Sequence, residues 1–295
     1  MVGHQVLVLS IEVRVLVPQP QLVYLEVLLR MKSLLYLTNK SNGFYEEDTF
    51  LIDRLKLYYK VIVCHPLECK KYLNEISGVV IRNVWPTSEY REGWEHVLDS
   101  IRSSKLPTFN SLDGSGDITG KEYLIELYKK KLPVIPSISS LSDLDKLPET
   151  ESYWVKPFFG CDGEGSQQIT TKALGNFNLK GYIIQPYIEF TSEPSFYYLD
   201  NKFLYAVEMP NRLKDTGIKL YTPTKEDIEF AEKFINWNSL SVGIQRIDAV
   251  RTKAGSLLLT EIEDVAEYLY LLDIEPEVRE KISDALIDTI RRVII

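Results

Sequence analysis

Cysteine, histidine and methionine each occur only three times in 295 residues. Cys64, Cys69 and Cys161 are odd in number and scattered, so they form neither a disulfide framework nor a CxxC metal pair. Reduced thiols in a cytoplasmic protein are the plain reading. His4, His65 and His96 are too few and too far apart for a histidine-rich zinc centre. A surplus of positive charge is also missing: 34 basic residues face 42 acidic ones, a net charge of −8. That argues against nucleic acid or an anionic membrane surface as partner. No apolar run is long enough to span a bilayer. The most apolar stretch, residues 1–30, is broken by Glu12, Arg14, Pro18, Pro20 and Glu26. It has no basic leader and so does not read as a signal peptide. The phosphate loop GxxxxGK[ST] is absent, and no GxGxxG opens a helix after a strand.

The remaining composition, 45% hydrophobic and 26% charged, is that of a globular protein long enough for two domains or several lobes. Residues 1–30 are expected to be an extension outside the fold, the product of a mis-set start; the alternative is an extra edge strand. From Ser33 the pattern alternates. SLLYLT, KVIVCH and SGVVIRNVW read as strands. EEDTFLIDRLKLYY, PLECKKYLNEI and SEYREGWEHVLDSIRSS read as helices between and after them. This implies a parallel α/β domain over 31–112, with ligands beyond the carboxyl ends of its strands. Arg82 sits at such an end and is a candidate clamp for a carboxylate.

The turn-rich run NSLDGSGDITG marks a boundary. A helix, KEYLIELYKKK, follows, and LPVIPS leads to a strand. YWVKPF and SQQIT are two strands joined by a glycine loop. GYIIQPYI is a third, and SFYYLD and KFLYAVEM form a hairpin turning at Asp200-Asn201. The helix KEDIEFAEKFINW opens at Thr-Pro-Thr. GIQRIDAV and SLLLTEIED pair through RTKAG, and a final helix starts at Pro276. These elements suggest a larger, mostly antiparallel sheet, with a smaller lid subdomain at 113–190 and a central one at 191–295.

Two constellations carry chemistry. Side chains alternate along a strand, so Glu261 and Glu263 share one face, and Asp248 on the hairpin partner can face them. Three carboxylates repel unless a cation balances them. Oxygen-only ligands select a hard ion, Mg2+ with Mn2+ an alternative. The competing reading is a solvated acidic strand end. The apolar run LLLT ahead of it argues for burial instead. The second constellation is Lys156, at the end of an apolar run, followed by Gly160, Gly163 and Gly165. A flexible cation beside a loop whose backbone can lie against a ligand suits phosphate oxygens. Lys121 equally reads as a solvated helix lysine, and Arg212 as a surface partner of Glu208. Arg246 and Arg251 carry no firm role. Cys161 is a small filler, and Tyr268 and Tyr270 read as core packing ahead of an aromatic acceptor pocket.

In their order along the chain, GKEYLIELYKKKLPVIPS, VKPFFGCDGEGS, QPYI, KFLYAVEMPNR, RIDAV and TEIED resemble the ATP-grasp proteins of the carboxylate–amine ligase group. That group holds glutathione synthetase and the ribosomal-protein glutamate ligases. The resemblance runs from about residue 31 to the last helix. It implies an α/β (α+β) ATP-grasp fold, with a parallel N-terminal domain and two subdomains clasping the nucleotide. It further implies ATP and Mg2+ as cofactors. Lys121, Lys156 and the glycine loop would lie on the phosphates. Gln185, Tyr187 and Ile188 would form the adenine hinge, and Glu193 (or Glu189) would take the ribose hydroxyls. Asp248, Glu261 and Glu263 would hold metal, with Arg212 and Lys156 as catalytic groups. A small-molecule or peptide carboxylate and an amine would be joined through an acylphosphate; a homo-oligomer is compatible. Glu263 stands where the group commonly has asparagine, and DVAEYLYL replaces the usual small loop after it. Phosphotransfer on the same fold and a non-catalytic ATP-binding module are the open alternatives.

Overall fold

The computed structural model describes residues 31–39, 46–85, 87–160, 163–210 and 217–294. The expectations for residues 1–30, Cys161 and Arg212 lie outside the described residues. β1 (Ser33–Leu37), β2 (Lys60–Cys64), β3 (Gly78–Ile81) and β4 (Thr108–Phe109) form a parallel sheet in the order β2-β1-β3-β4. α1 (Glu46–Leu55) and α2 (Arg91–Ser104) flank it. α2 buries Trp94, Val97, Leu98 and Ile101, the stripe its sequence spacing requires. The helix expected after β2 is only a 3-10 turn over Pro66–Lys71. Its buried residues, Pro66 and Cys69, are three apart, the repeat of a 3-10 helix, while Leu67 is exposed.

The rest of the chain holds two antiparallel sheets where the sequence suggested one. α3 (Tyr123–Lys129) leads to β5 (Ser152–Pro157), β6 (Gln167–Thr170), the short α4 (Thr171–Leu174) and β7 (Tyr182–Pro186). These strands form a three-stranded sheet in the order β6-β5-β7. β8 (Phe190–Leu199), β9 (Lys202–Met209), β10 (Lys219–Leu220), β11 (Ile244–Thr252) and β12 (Leu257–Glu263) form the other, ordered β10-β9-β8-β11-β12. The segment expected as a strand near residue 135 is divided between them. Val134 bridges Leu259 of β12, and Ile138 bridges Ile184 of β7. The β8–β9 hairpin turns at Asp200 and Asn201, both at positive φ (49° and 62°), as a two-residue turn of this twist requires. α5 (Lys225–Asn238) starts from a capping box between Thr224 and Asp227.

α6 (Pro276–Val293) does not pack within its own half of the sequence alone. Its Ile282, Leu286 and Ile290 share one core with Leu34 and Tyr36 of β1, Val80 of β3, Phe109 of β4, and Tyr197 and Tyr205 of the five-stranded sheet. The opposite face of that sheet, through Ile247 and Ile262, packs on Leu124 of α3 and Phe234 of α5. Residues of one parity along β8 and β11 thus face the N-terminal sheet. They are apolar at one end (Tyr197, Leu199, Ile244) and polar at the other (Ser195, Arg246, Asp248). Among the described residues no helix is long and apolar enough to cross a membrane.

Candidate active site

The polar end of that face is built by strand register. β11 and β12 pair with Arg246 opposite Glu263 and Asp248 opposite Glu261, so all four side chains project to one side. A register shift follows Asp248, a bulge of the kind that re-aims side chains beside a site. On the other flank Ser195 of β8 lies opposite Asp248, and its Oγ donates to Asp248 Oδ1 at 2.6 Å.

Two cations of the chain itself sit among these acids. The guanidinium of Arg246 donates to both oxygens of Asp248 (2.8–3.1 Å), to Glu263 Oε1 (2.6 Å) and to the carbonyl of Tyr268 (2.9 Å). Lys121, only 6% exposed, pairs with Glu261. It precedes α3 instead of riding on it, and its backbone N–H donates to the carbonyl of Phe158 at 2.9 Å. The face therefore sets three carboxylates against two cations. Burial pushes the Glu263 carboxyl up to about 8, against the downward pull of Arg246. A divalent ion entering here would take the place of the proton that burial holds on Glu263, and oxygen-only donors suit a hard ion. Among the described residues no three acidic, histidine or cysteine side chains are gathered around a common point. The donor chemistry fits Mg2+ once Lys121 and Arg246 give up part of their carboxylate contacts.

Glu261, Glu263 and Arg246 line a cavity of about 310 Å³. Gly160 of the glycine loop and Asp117 also reach it. Burial and the neighbouring Asp264 carboxyl hold Asp117 well above the usual carboxylate range. The lining is completed by Asn83 and Trp85, from the loop after β3, and by Ala266, Tyr268 and Tyr270, from the loop after β12. The glycine loop is locally demanding. A side chain at Gly160 would bring Cβ within 2.7 Å of the Pro157 ring and 3.0 Å of the Glu164 carbonyl. Gly163 and Gly165 hold φ of 75° and 70°. Lys156 stands on β5 opposite Ile183 of β7, at the foot of this loop.

The other residues named from the sequence do not line the cavity. Gln185 is buried on β7 and donates from its side chain to Ser137 Oγ at 2.9 Å. The Tyr187 N–H donates to the Ser152 carbonyl at 3.1 Å; Ile188 follows it directly. Glu193 lies on β8 opposite Met209, while Glu189 is engaged by Lys253.

Arg82 is a correction. It is 2% exposed and does clamp carboxylates, but they are the chain's own. Nη2 donates to Glu47 Oε1 (2.6 Å), Nε to Asp48 Oδ1 (3.1 Å) and Nη1 to Glu267 Oε1 (3.0 Å). Tyr268 and Tyr270, read as core packing, stand on the cavity wall. Arg246 was without a firm role, yet it has the same strand parity as Asp248, a signal present in the sequence. Asn83, Trp85 and Asp117 carry no such signal.

No family model and no curated protein matches this chain. Solved structures do. A crystal structure of the D-cycloserine synthetase DcsG superposes with a TM-score of 0.68 at 18% identity, over 87% of this chain and 99% of that one. D-alanine–D-alanine ligase from Bacillus anthracis, complexed with ATP, gives 0.63 at 16% identity, over 90% and 99%. The ATP-grasp ligase PsnB, complexed with a variant of its minimal precursor, Mg and ADP, gives 0.61 at 14%, over 88% and 99%. Likeness at this level of identity is likeness of fold, and the fold of this chain is ATP-grasp.

Proposed function

We propose that the chain is an ATP-dependent ligase that joins a carboxylate to an amine, with ADP and phosphate as products. The observation that carries this reading is the acidic face, where Asp248, Glu261 and Glu263 are gathered with Arg246 and Lys121 next to a cavity that Glu261, Glu263 and Gly160 of the glycine loop line. In this reading the substrate carboxylate accepts the γ-phosphoryl group and the amine then displaces phosphate from the acylphosphate.

Asp248, Glu261 and Glu263 hold one or two Mg2+ ions. Bound Mg2+ draws charge off the phosphate oxygens. Lys121 and Lys156 neutralise phosphate charge, and Gly160, Gly163 and Gly165 let backbone N–H groups approach it. The main chain at Gln185, Tyr187 and Ile188 receives adenine, and Glu193 the ribose hydroxyls. Arg246 keeps the Tyr268 carbonyl as an acceptor when its carboxylates turn to metal, and its guanidinium can then face developing negative charge. Arg212 is assigned the same task from the far end of β9. Closure of the glycine loop excludes water from the acylphosphate. Solved structures of like fold include the macrocyclase MdnC bound with a precursor peptide and a D-alanine–D-alanine ligase, so both peptide and small-molecule substrates suit the reading.

Thermal melting with and without MgATP is the test. Ligand at about a hundred times its Kd adds roughly 2.7 kcal/mol, a rise of several degrees. Wild type will show it, Lys156→Ala will not, and Glu261→Gln will lose ADP release driven by an amine and a carboxylate. No shift in wild type at millimolar MgATP refutes the reading. ADP release without an amide product replaces it with phosphotransfer.

A further inference from the structure

The cavity is lined by both charged and aromatic groups. Arg246 shares the lining with Glu261 and Glu263 and stands 5.9 Å from the centroid of the Tyr270 ring. Trp85, Tyr268 and Tyr270 come from two segments remote in sequence. Tyr268 and Tyr270 meet edge to face, centroids 5.0 Å apart with planes at 87°. Trp85 is braced from behind by Phe159 of the glycine loop, 6.2 Å between centroids with planes at 16°. Arg91 covers Phe159 in turn, 3.9 Å from the ring centroid.

This wall is built at a cost in backbone strain. Tyr270 holds φ of 53°, a region that a bulky side chain enters only when its surroundings force it. The surroundings are evident. Leu269 and Leu271, on either side of it, are fully buried, and both N–H groups donate to the buried carboxylate of Glu47. With its neighbours pulled inward, the Tyr270 ring is turned to the cavity. Asn83, on the same wall, also has positive φ (46°).

Size limits the occupant. A cavity of about 310 Å³ is at the small end of ligand sites and suits a single small molecule.

We propose that this cavity binds one of the two ligation substrates as a single free amino acid with a planar aromatic side chain. The ring lies against Trp85, Tyr268 and Tyr270. Its carboxylate lies against Arg246, which stands over the Tyr270 ring. Aromatic pairs of this kind add to the burial of the ring itself. The proposal rests on the ligase reading above and narrows its substrate.

The test uses the full chain saturated with MgADP. Phenylalanine, tyrosine and tryptophan, in both L and D forms, are titrated by calorimetry against alanine, glutamate, lysine and a blocked Ala-Phe-Ala peptide amide. The expected result is binding of an aromatic amino acid at least ~10-fold tighter than alanine, from burial of the ring. Trp85→Leu and Tyr268→Leu, each still stabilised by MgADP, will cut that preference to about threefold or less. Equal binding of alanine, or a preference for glutamate, lysine or the peptide amide, overturns the proposal while the MgADP shift keeps the ligase reading intact. An unchanged preference in both variants overturns the placement of the ring. Absence of any MgADP shift overturns the ligase reading and this proposal together.

Discussion

Replacing Arg82 by methionine will cost far more stability at pH 8 than at pH 5. Arg82 is the only cation bonded to Glu47, Asp48 and Glu267 among the described residues, and all four side chains are essentially buried. Burial pushes the Glu47 and Glu267 carboxyls up to about 7 from 4.5, against the downward pull of Arg82. The folded protein therefore binds more protons than the unfolded chain between about pH 4.5 and 7. Each group contributes stability that is fully present below 4.5 and lost as pH rises through 7. A rise of about 2.5 units corresponds to about 3 kcal/mol per group. Removing the cation at pH 8 leaves buried carboxylates that must either stay charged without a partner or take up a proton, which costs about 3–5 kcal/mol. That lowers the melting temperature by roughly 6–20 °C. At pH 5 both glutamates are protonated in the variant and the wild type, only Asp48 loses a charged partner, and the difference falls to about 1–2 kcal/mol. Urea unfolding followed by circular dichroism at pH 5, 6.5 and 8 measures it. A penalty that is constant with pH, or below about 1 kcal/mol at pH 8, refutes the account of the cluster.

Gly160→Ala forces Cβ against Pro157 and the Glu164 carbonyl, so it will weaken MgATP binding by about tenfold or more with little change in unliganded stability; equilibrium binding of a fluorescent ATP analogue reads this. Thr224→Ala removes half of the capping box of α5 and will cost about 1 kcal/mol in urea unfolding, with MgATP binding unchanged. The losses predicted for Lys156→Ala and Glu261→Gln separate nucleotide binding from turnover.

Much of this architecture is legible from spacing. The alternation of strands and helices before residue 110 becomes a parallel sheet, and the 3.6-residue stripes of α2 and α6 become core. The parity of β11 and β12 brings Asp248, Glu261 and Glu263 to one face. The same parity includes Arg246, but an arginine on a strand reads equally well as a surface ion pair until its partners are seen. Arg82 misleads for the opposite reason. A cation at the carboxyl end of a parallel strand invites a ligand, and only the packing of α1 and the loop after β12 reveals that its partners are internal. The aromatic wall is the least legible part. Trp85 and Tyr270 come from loops, whose course follows no period, and positive φ at a tyrosine has no sequence signature.

The shared core of α6 and the first sheet has a consequence for synthesis. β1 and β3 leave the ribosome early, yet Leu34, Tyr36 and Val80 find part of their packing only in Ile282, Leu286 and Ile290. The nascent N-terminal unit waits with an apolar face open until the final helix arrives, long after β4 is made. Such late, long-range closure makes for slow folding and an exposed intermediate. A fragment ending near residue 112 will be prone to aggregate, and adding α6 as a separate peptide will restore its solubility.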